Sequence, residues 1–168
     1  YLLGNLNDEV IDLDFNKIKA NELPELEQIM LNKIQVLNTK FHNNFNIYNF
    51  HNLYKELLNF CTVDLSSFYF DIRKDTLYCD KKSSKKRESC IEVLNVIINC
   101  LLKWFAPILT FTTEEIYKII NKDGKSIHLE NFPKVPAEWK NKPLEEKWLE
   151  LIKICLLYTS DAADEQQR

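Results

Sequence analysis

Glycine is scarce in this sequence, with only Gly4 and Gly124 among 168 residues. Tight hairpin turns and phosphate-binding loops depend on glycine, because its missing side chain permits positive φ angles. The scarcity therefore argues against a P-loop, a Rossmann fold and a turn-rich β-sandwich. Long helices joined by few tight turns are favoured instead, and the chain is long enough for one domain with its own hydrophobic core.

Patterns for metal binding and catalysis are also missing. The five cysteines include no Cys-x-x-Cys pair and no nearby histidine that would complete a zinc site, so we interpret them as reduced thiols. The three histidines are far apart in sequence, and we expect surface or capping roles for them. No G-x-S-x-G, H-E-x-x-H or glycine-rich phosphate motif occurs. The sequence therefore predicts no catalytic residue, no metal site and no cofactor in this chain.

Membrane and secretion signals are missing as well. The longest apolar stretch, residues 91–105, is interrupted by Glu, Asn and Lys and is too polar to span a bilayer. Tyr1 begins the sequence without an initiator Met or the basic region of a signal peptide. We therefore expect a monomeric, cytoplasmic protein with no membrane partner. Because the formal net charge is −3, binding to nucleic acid requires a local basic patch.

Apolar residues are present at helical spacing along most of the chain. They recur every three or four positions over residues 26–45, which predicts a helix with one core-facing side and Pro24 in its first turn. A second helix is expected over residues 50–61, followed by an aromatic-rich segment at 64–78. A third helix covers residues 91–105. The polar residues 80–89 predict a solvated loop before it.

The next helix has a recognisable start. Thr112 and Glu115 have the spacing of a capping box, in which each side chain satisfies an unpaired backbone N–H, and Phe111 and Ile116 have the spacing of a hydrophobic staple. We expect Glu114 to be solvent-exposed. After this helix the sequence predicts three further segments: a short extended piece near 127–132, a proline-punctuated connector over 133–143, and an amphipathic helix over 144–154. The whole pattern predicts an all-α, antiparallel helix bundle.

The composition changes abruptly near the end of the chain. Residues up to Ile154 are rich in Asn, Lys and Ile, whereas CLLYTSDAADE at positions 155–165 is not. These eleven residues resemble the translation of a transposase-adapter oligonucleotide. We therefore predict one native helical domain over residues 1–154 and a non-native tail over 155–168, with a frayed helical turn at most.

Basic residues cluster around the predicted loop. Cations near a helix N-terminus oppose the helix dipole at a cost of a few tenths of a kcal/mol each, but they suit the binding of phosphate groups. From the pattern alone, we favour a solvated lysine-rich loop over a phosphate-binding surface. The candidate RNA-binding residues are Arg73, Lys74, Lys81, Lys82, Lys85, Lys86 and Arg87.

Aromatic and acidic residues accompany these cations. Phe68, Tyr69 and Tyr78 have the rings needed to stack on RNA bases, but we favour burial between helices for all three. For Asp71 and Asp75 we favour local ion pairs with the neighbouring cations over contacts with RNA.

Three segments carry a resemblance to a known family. Residues 57–80, LLNFCTVDLSSFYFDIRKDTLYCD, resemble the isoleucyl-tRNA synthetase motif FC-x-x-DLS-x-FY-x-D-x-x-KD-x-LYC. Residues 105–117, FAPILTFTTEEIY, are similar to the APIL-x-FT-x-EE segment of class I synthetases, and SIHLENFP at 126–133 resembles SVHL-x-x-FP. Departures are small: Thr76 stands where Arg is common in the family, and Tyr117 where Trp is common.

The resemblance implies a helical domain that binds the anticodon arm of isoleucine tRNA. Its expected partners are that tRNA and the catalytic domain of the same polypeptide, which uses ATP and Mg and carries HIGH and KMSKS motifs that do not occur here. The family also has a zinc-binding C-terminal segment, which this sequence lacks. Because the catalytic residues are missing, the fragment is expected to be inactive alone. Two alternatives stay open: the equivalent domain of a valyl-, leucyl- or methionyl-tRNA synthetase, and a helical protein-interaction scaffold without RNA binding.

Overall fold

The computed structural model of the protein describes Gly4, Leu6 and residues 14–121 and 124–165, except for the side chains of residues 156 and 158–165. The sequence also predicts that residues 1–6 are the end of an upstream helix, and this prediction falls almost wholly outside the described residues. All regular secondary structure in the described part is helical, which confirms the predicted fold class. Within the same part, no helix combines the length and hydropathy that a membrane span requires.

The described helices differ in length and type. The α-helices are α1 (Glu25–Asn46), α2 (Phe50–Asn59), α3 (Asp71–Cys79), α4 (Lys85–Phe105), α5 (Thr110–Ile120) and α6 (Lys142–Glu165). A π-helical run, Phe60–Phe70, joins α2 to α3 without a break. Short 3-10 turns occur at Phe15–Lys17, Ala20–Glu22, Ile127–Leu129 and Ala137–Trp139.

Side-chain contacts give the direction of the helices. Phe41, near the end of α1, stacks on Trp104, near the end of α4, with ring centroids 5.7 Å apart, so α1 and α4 run parallel. The continuous stretch α2–π–α3 runs antiparallel to both, since Tyr69 late in this stretch contacts Glu27 at the start of α1. We call the end of the bundle with residues 80–84 the loop end, and the opposite end, with residues 47–49, the turn end.

The last helix covers the start of α1. The side chain of Asn32 accepts a hydrogen bond from the backbone N–H of Asn141 at 2.7 Å, just before α6 begins. Further along α6, Lys147 forms an ion pair with Glu25 at 2.8 Å. These two contacts orient α6 antiparallel to α1 and direct it towards the loop end.

The main core lies between α1, α4 and the continuous stretch that joins them. Its largest side chains are aromatic: Phe41 and Trp104 are fully buried, and Phe132 packs edge-on to Phe41 at 4.9 Å. A second, smaller cluster beneath α5 contains Tyr117 and Ile127. Burial of this apolar surface is the main force that holds the bundle together.

The predicted capping box at α5 is wrong. The helix begins at Thr110, three residues earlier than a Thr112 cap would place it, because the backbone N–H of Leu109 bonds the carbonyl of Phe105 at 2.7 Å and closes the turn tightly. Thr112 is exposed, and Thr113 instead donates its hydroxyl to the carbonyl of Leu109 at 2.9 Å. Phe111 is 91% exposed, so it forms no hydrophobic staple.

The extended piece expected near 127–132 is also wrong in its first half. Residues 127–129 form a 3-10 turn because the Glu114 carboxylate accepts hydrogen bonds from the Ser126 hydroxyl at 2.8 Å and from the Ile127 N–H at 3.0 Å. Glu114 is therefore not the solvated residue that we expected. These hydrogen bonds, together with an ion pair to Lys118, lower the pKa of Glu114.

Two other predicted boundaries shift. The loop predicted at 80–89 is shorter, since α4 begins at Lys85. The last helix is longer than the predicted 144–154 and continues to Glu165, where we expected a frayed turn at most. The non-native origin of residues 155–168 stays a prediction.

Two adjacent leucines of α2 test the packing. Leu57 is fully buried, whereas Leu58 is 43% exposed. Leu57→Ala is expected to lower the free energy of unfolding by about 2–5 kcal/mol, because it leaves a cavity in the core. Leu58→Ala is the matched control and should change it by no more than about 0.5 kcal/mol. Urea unfolding followed by far-UV circular dichroism measures both, and equal decreases would contradict this packing.

Candidate nucleic-acid interface

The basic residues expected to bind RNA lie at the loop end. Residues 80–84 join α3 to α4, and the backbone N–H of Ser84 closes a turn on the carbonyl of Lys81 at 2.9 Å. Ser84 is the N-cap of α4 but forms no side-chain capping bond. Lys85 and Lys86 therefore stand in the first turn of a 21-residue helix, where unpaired backbone N–H groups already present positive charge.

Four lysines form what we call the basic surface: Lys81, Lys82, Lys85 and Lys86. All four are solvent-exposed, and none forms an ion pair with a carboxylate in the described part of the chain. Five of the seven residues from 81 to 87 are Lys or Arg, in a chain of net charge −3. This surface therefore concentrates positive charge that the rest of the molecule does not share.

Lys74 has a closer partner. Its ammonium group bonds the Asp71 carboxylate one turn earlier in α3 at 2.9 Å, and both side chains are about half exposed. This hydrogen bond raises the pKa of Lys74. The ion pair predicted for Asp71 is confirmed. Because the Asp71 carboxylate partly neutralises the Lys74 ammonium, Lys74 attracts a phosphate group less strongly than the four lysines of the basic surface do.

Arg87 is half-buried and bridges two helices. Its Nε–H donates a hydrogen bond to the backbone carbonyl of Leu77 at 3.3 Å. Carbonyl groups in the last turn of a helix lack intrahelical partners, so the arginine of α4 caps the end of α3.

Arg73 does not belong to the basic surface, and its prediction as an RNA contact needs correction. Its side chain is only 7% exposed and makes two hydrogen bonds to the Glu27 carboxylate, from Nε at 2.7 Å and from Nη2 at 2.6 Å. Burial alone would lower the pKa of the guanidinium, but the bonds and the negative charge of Glu27 outweigh burial and raise it. The charge of Arg73 is thus neutralised inside the bundle and faces away from solvent.

The Glu27–Arg73 pair is part of a larger polar cluster. The Tyr69 hydroxyl lies 3.2 Å from Glu27 Oε1 and 3.4 Å from Cys90 Sγ. Burial raises the pKa of Tyr69 well above its ordinary value, so the phenol keeps its proton and donates a hydrogen bond to the carboxylate. The cluster connects α1, the π run, α3 and α4 directly beneath the loop.

The aromatic residues divide between core and surface. Phe68 and Tyr69 are buried, as favoured from the sequence. Tyr78 is 66% exposed, so the burial favoured for it is wrong. It stands near the end of α3, where the helix leaves the core and enters the loop.

The sequence reasoning missed Glu27. One signal was available: Glu27, Ile34 and Phe41 follow one another at two-turn intervals, so the carboxylate shares the core-facing side of α1. A charged residue on such a face is almost never buried without a partner. That reasoning predicts a cation opposite Glu27, although it does not identify which one.

The family follows from comparison with known proteins. Residues 27–159 match the family model described as the anticodon-binding domain of tRNA ligase. The chain belongs to this family. Its basic surface and its buried polar cluster both lie within the matched residues, and the all-helical architecture agrees with the predicted one.

Similar curated proteins are isoleucine–tRNA ligases. The protein from Pelagibacter ubique (strain HTCC1062) is 61% identical over 154 residues, which are 92% of this chain and 17% of the relative. Those from Agrobacterium fabrum and Mesorhizobium japonicum are 44% identical over 143 residues and 40% identical over 148. The last two alignments cover 85% and 88% of this chain, and 15% and 14% of the relatives. This anticodon-binding domain thus spans about one sixth of the length of these relatives.

A single amide substitution tests the buried pair. Glu27→Gln leaves the Arg73 cation buried without a counter-ion and is expected to lower the free energy of unfolding by about 3–5 kcal/mol. The control is Glu56→Gln, which removes an exposed ion pair with Lys40 and should cost about 0–1 kcal/mol. Chemical denaturation of both variants measures the difference. Similar decreases would contradict a special role for Glu27.

Thiol reactivity tests the exposure of the loop end. Cys79 is exposed at the end of α3, whereas burial raises the pKa of Cys61 to about 11. At pH 8 only on the order of one Cys61 thiol in a thousand is then ionised. A thiol-specific reagent should therefore label Cys79 first in the native chain and all cysteines after denaturation, as mass spectrometry of the peptides can show. Equal labelling of Cys61 and Cys79 in the native chain would refute this arrangement.

Proposed function

We propose that this domain binds the anticodon arm of isoleucine tRNA as part of a cytoplasmic isoleucine–tRNA ligase. The observation that carries the proposal is the basic surface, in which four exposed lysines have no counter-ion in the described part of an otherwise acidic chain. Membership of the anticodon-binding family and the names of the similar proteins support the choice of ligand.

The chemistry of this binding is electrostatic positioning. Lysine ammonium groups neutralise phosphates and release condensed counter-ions, so affinity falls as salt rises. The N-terminus of α4 adds backbone N–H groups and the positive end of the helix dipole next to Lys85 and Lys86. Contacts of this kind fix the register and orientation of an RNA but read little of its sequence.

The bond-making steps belong to the rest of the ligase in this proposal. Attachment of isoleucine to tRNA requires ATP and Mg, and the residues for it lie outside this domain, as does any zinc-binding segment. The domain contributes by holding the anticodon arm, which sets the direction in which the acceptor end points. Binding energy gained far from the reacting atoms serves the reaction through orientation.

A protein-interaction scaffold is the second candidate function, and one feature favours it. Several apolar side chains are unusually exposed, including Tyr48 at 79% and Phe111 at 91%. Exposed aromatic groups of this size are typical of protein contacts. A scaffold without an RNA role would not need the basic surface, so the following experiment separates the two functions.

The test is a titration of the 168-residue chain with a transcript of Pelagibacter ubique isoleucine tRNA at several salt concentrations. Circular dichroism first verifies that the chain is folded. For Lys85→Ala/Lys86→Ala we expect weaker binding, and a plot of log affinity against log salt whose slope is shallower by about 1.4–1.8, because two phosphates are no longer neutralised. Lys134→Ala/Lys140→Ala is the matched control, as it removes two exposed lysines of the connector before α6. Unchanged affinity and slope for Lys85→Ala/Lys86→Ala would rule out the basic surface as the RNA contact.

A further inference from the structure

We infer that Arg73 and Arg87 are positioning residues for RNA binding: Arg73 holds α3 to α1 and Arg87 holds α3 to α4, and both act from inside the bundle instead of touching the RNA. This inference rests on the proposed function of the basic surface. We call the two ties, Arg73–Glu27 and Arg87–Leu77, the clamp. In this inference, two of the seven cations that the sequence predicts to contact RNA instead hold the other cations in position.

The lower tie is the buried polar cluster. Glu27 accepts two hydrogen bonds from Arg73 and lies 3.2 Å from the hydroxyl of Tyr69, which also lies 3.4 Å from Cys90. The planar guanidinium donates one hydrogen bond to each oxygen of the carboxylate. The pair therefore fixes the rotation of α3 as well as its distance from α1. Because Cys90 stands on α4, the same cluster sets the position of both helices that lead to the loop.

The upper tie lies one helical turn closer to the loop on both helices. Leu77 follows Arg73 by one turn in α3, and Arg87 precedes Cys90 by one turn in α4. The hydrogen bond of 3.3 Å from Arg87 to the carbonyl of Leu77 therefore closes the hairpin just below residues 80–84. The two ties in succession hold α3 to α1 and, one turn closer to the loop, to α4.

The charge of the basic surface explains why restraint is needed. Lys81, Lys82, Lys85 and Lys86 place four like charges within six residues, and their mutual repulsion favours a splayed hairpin. A splayed hairpin would have to close again when the RNA binds, and that ordering reduces affinity. A clamp that holds the lysines together in the free protein removes this cost.

Stability alone does not account for the lower tie. Replacing a buried ion pair by apolar side chains of similar volume is often neutral for stability, because desolvation of the two charges offsets their attraction. What an apolar pair lacks is the directional geometry of two parallel hydrogen bonds. The clamp hypothesis therefore predicts that such a replacement preserves folding but weakens RNA binding.

The first test is the double variant Glu27→Met/Arg73→Met in the full 168-residue chain. We expect a thermal midpoint near that of the parent chain. We also expect roughly tenfold weaker binding of the isoleucine tRNA transcript at about 100 mM salt. The slope of log affinity against log salt should be shallower by about 0.7–0.9 for each phosphate that a displaced lysine no longer neutralises. Both substituted side chains are buried, so a purely structural pair would not change the slope of a folded chain. Parental affinity and slope in a variant of unchanged midpoint would overturn the lower tie.

The second test uses Arg87 and is decisive even where the double variant does not fold. Arg87→Met removes the hydrogen bond to Leu77, and Arg87→Lys keeps the charge without the Nε–H donor of the planar guanidinium. We expect both variants to bind tRNA more weakly and to exchange the backbone amides of the first turn of α4 faster. If Arg87→Lys restores both the affinity and the slope, Arg87 contacts phosphate directly and the upper tie is refuted.

The control and the outcomes separate this inference from the proposed function. Lys103→Met/Glu130→Gln removes an ion pair whose N–O distance is 3.4 Å and which lies far from the loop end. This control should leave tRNA binding unchanged. Weaker binding by this control as well would overturn the clamp, since removal of any ion pair would then suffice. An effect of Lys85→Ala/Lys86→Ala without any effect of the clamp variants refutes the clamp and keeps the function. No effect of Lys85→Ala/Lys86→Ala refutes both.

Discussion

The ion pair between Glu27 and Arg73 is the interaction on which the loop end of this bundle depends. Both side chains are buried, and the carboxylate also lies within hydrogen-bonding distance of Tyr69. If α1 or α3 rotated or slid, the pair would separate and leave two isolated buried charges, which is very costly. The orientation of α3, and with it the path of residues 80–84, follows from this constraint.

The π-helical run before α3 carries Tyr69 to this cluster. The run is π-helical over Phe60–Phe70, and within it the hydroxyl of Ser67 bonds the carbonyl of Thr62, five residues earlier, at 3.0 Å. Long π-helical runs are rare, and π turns are often found near functional sites. Here the run is packed against α6, where Trp148 meets Phe68 with ring centroids 6.4 Å apart. The π run is thus held on one side by packing and at its end by the polar cluster.

The two ends of the bundle have different surface chemistry. The loop end presents four exposed lysines without counter-ions in the described part, whereas the turn end exposes Ile47 and Tyr48, the latter with a positive φ of 57°. Because the net charge of the chain is −3, the four lysines of the loop end are a local exception to its acidic balance.

The sequence by itself determined the helical class, the two longest helices of the core, the family motif over 57–80 and the cluster of cations, because these features are local in the chain. Tertiary structure alone decided which of these cations is buried in an ion pair and which is exposed. Arg73 and Lys74 are neighbours in one motif, yet one is buried and the other exposed, since the partner of Arg73 is Glu27, 46 residues away. The start of α5 was likewise set by the closed turn after α4 and not by the local capping pattern. Local periodicity predicts elements, but the pairing of charges depends on which elements meet.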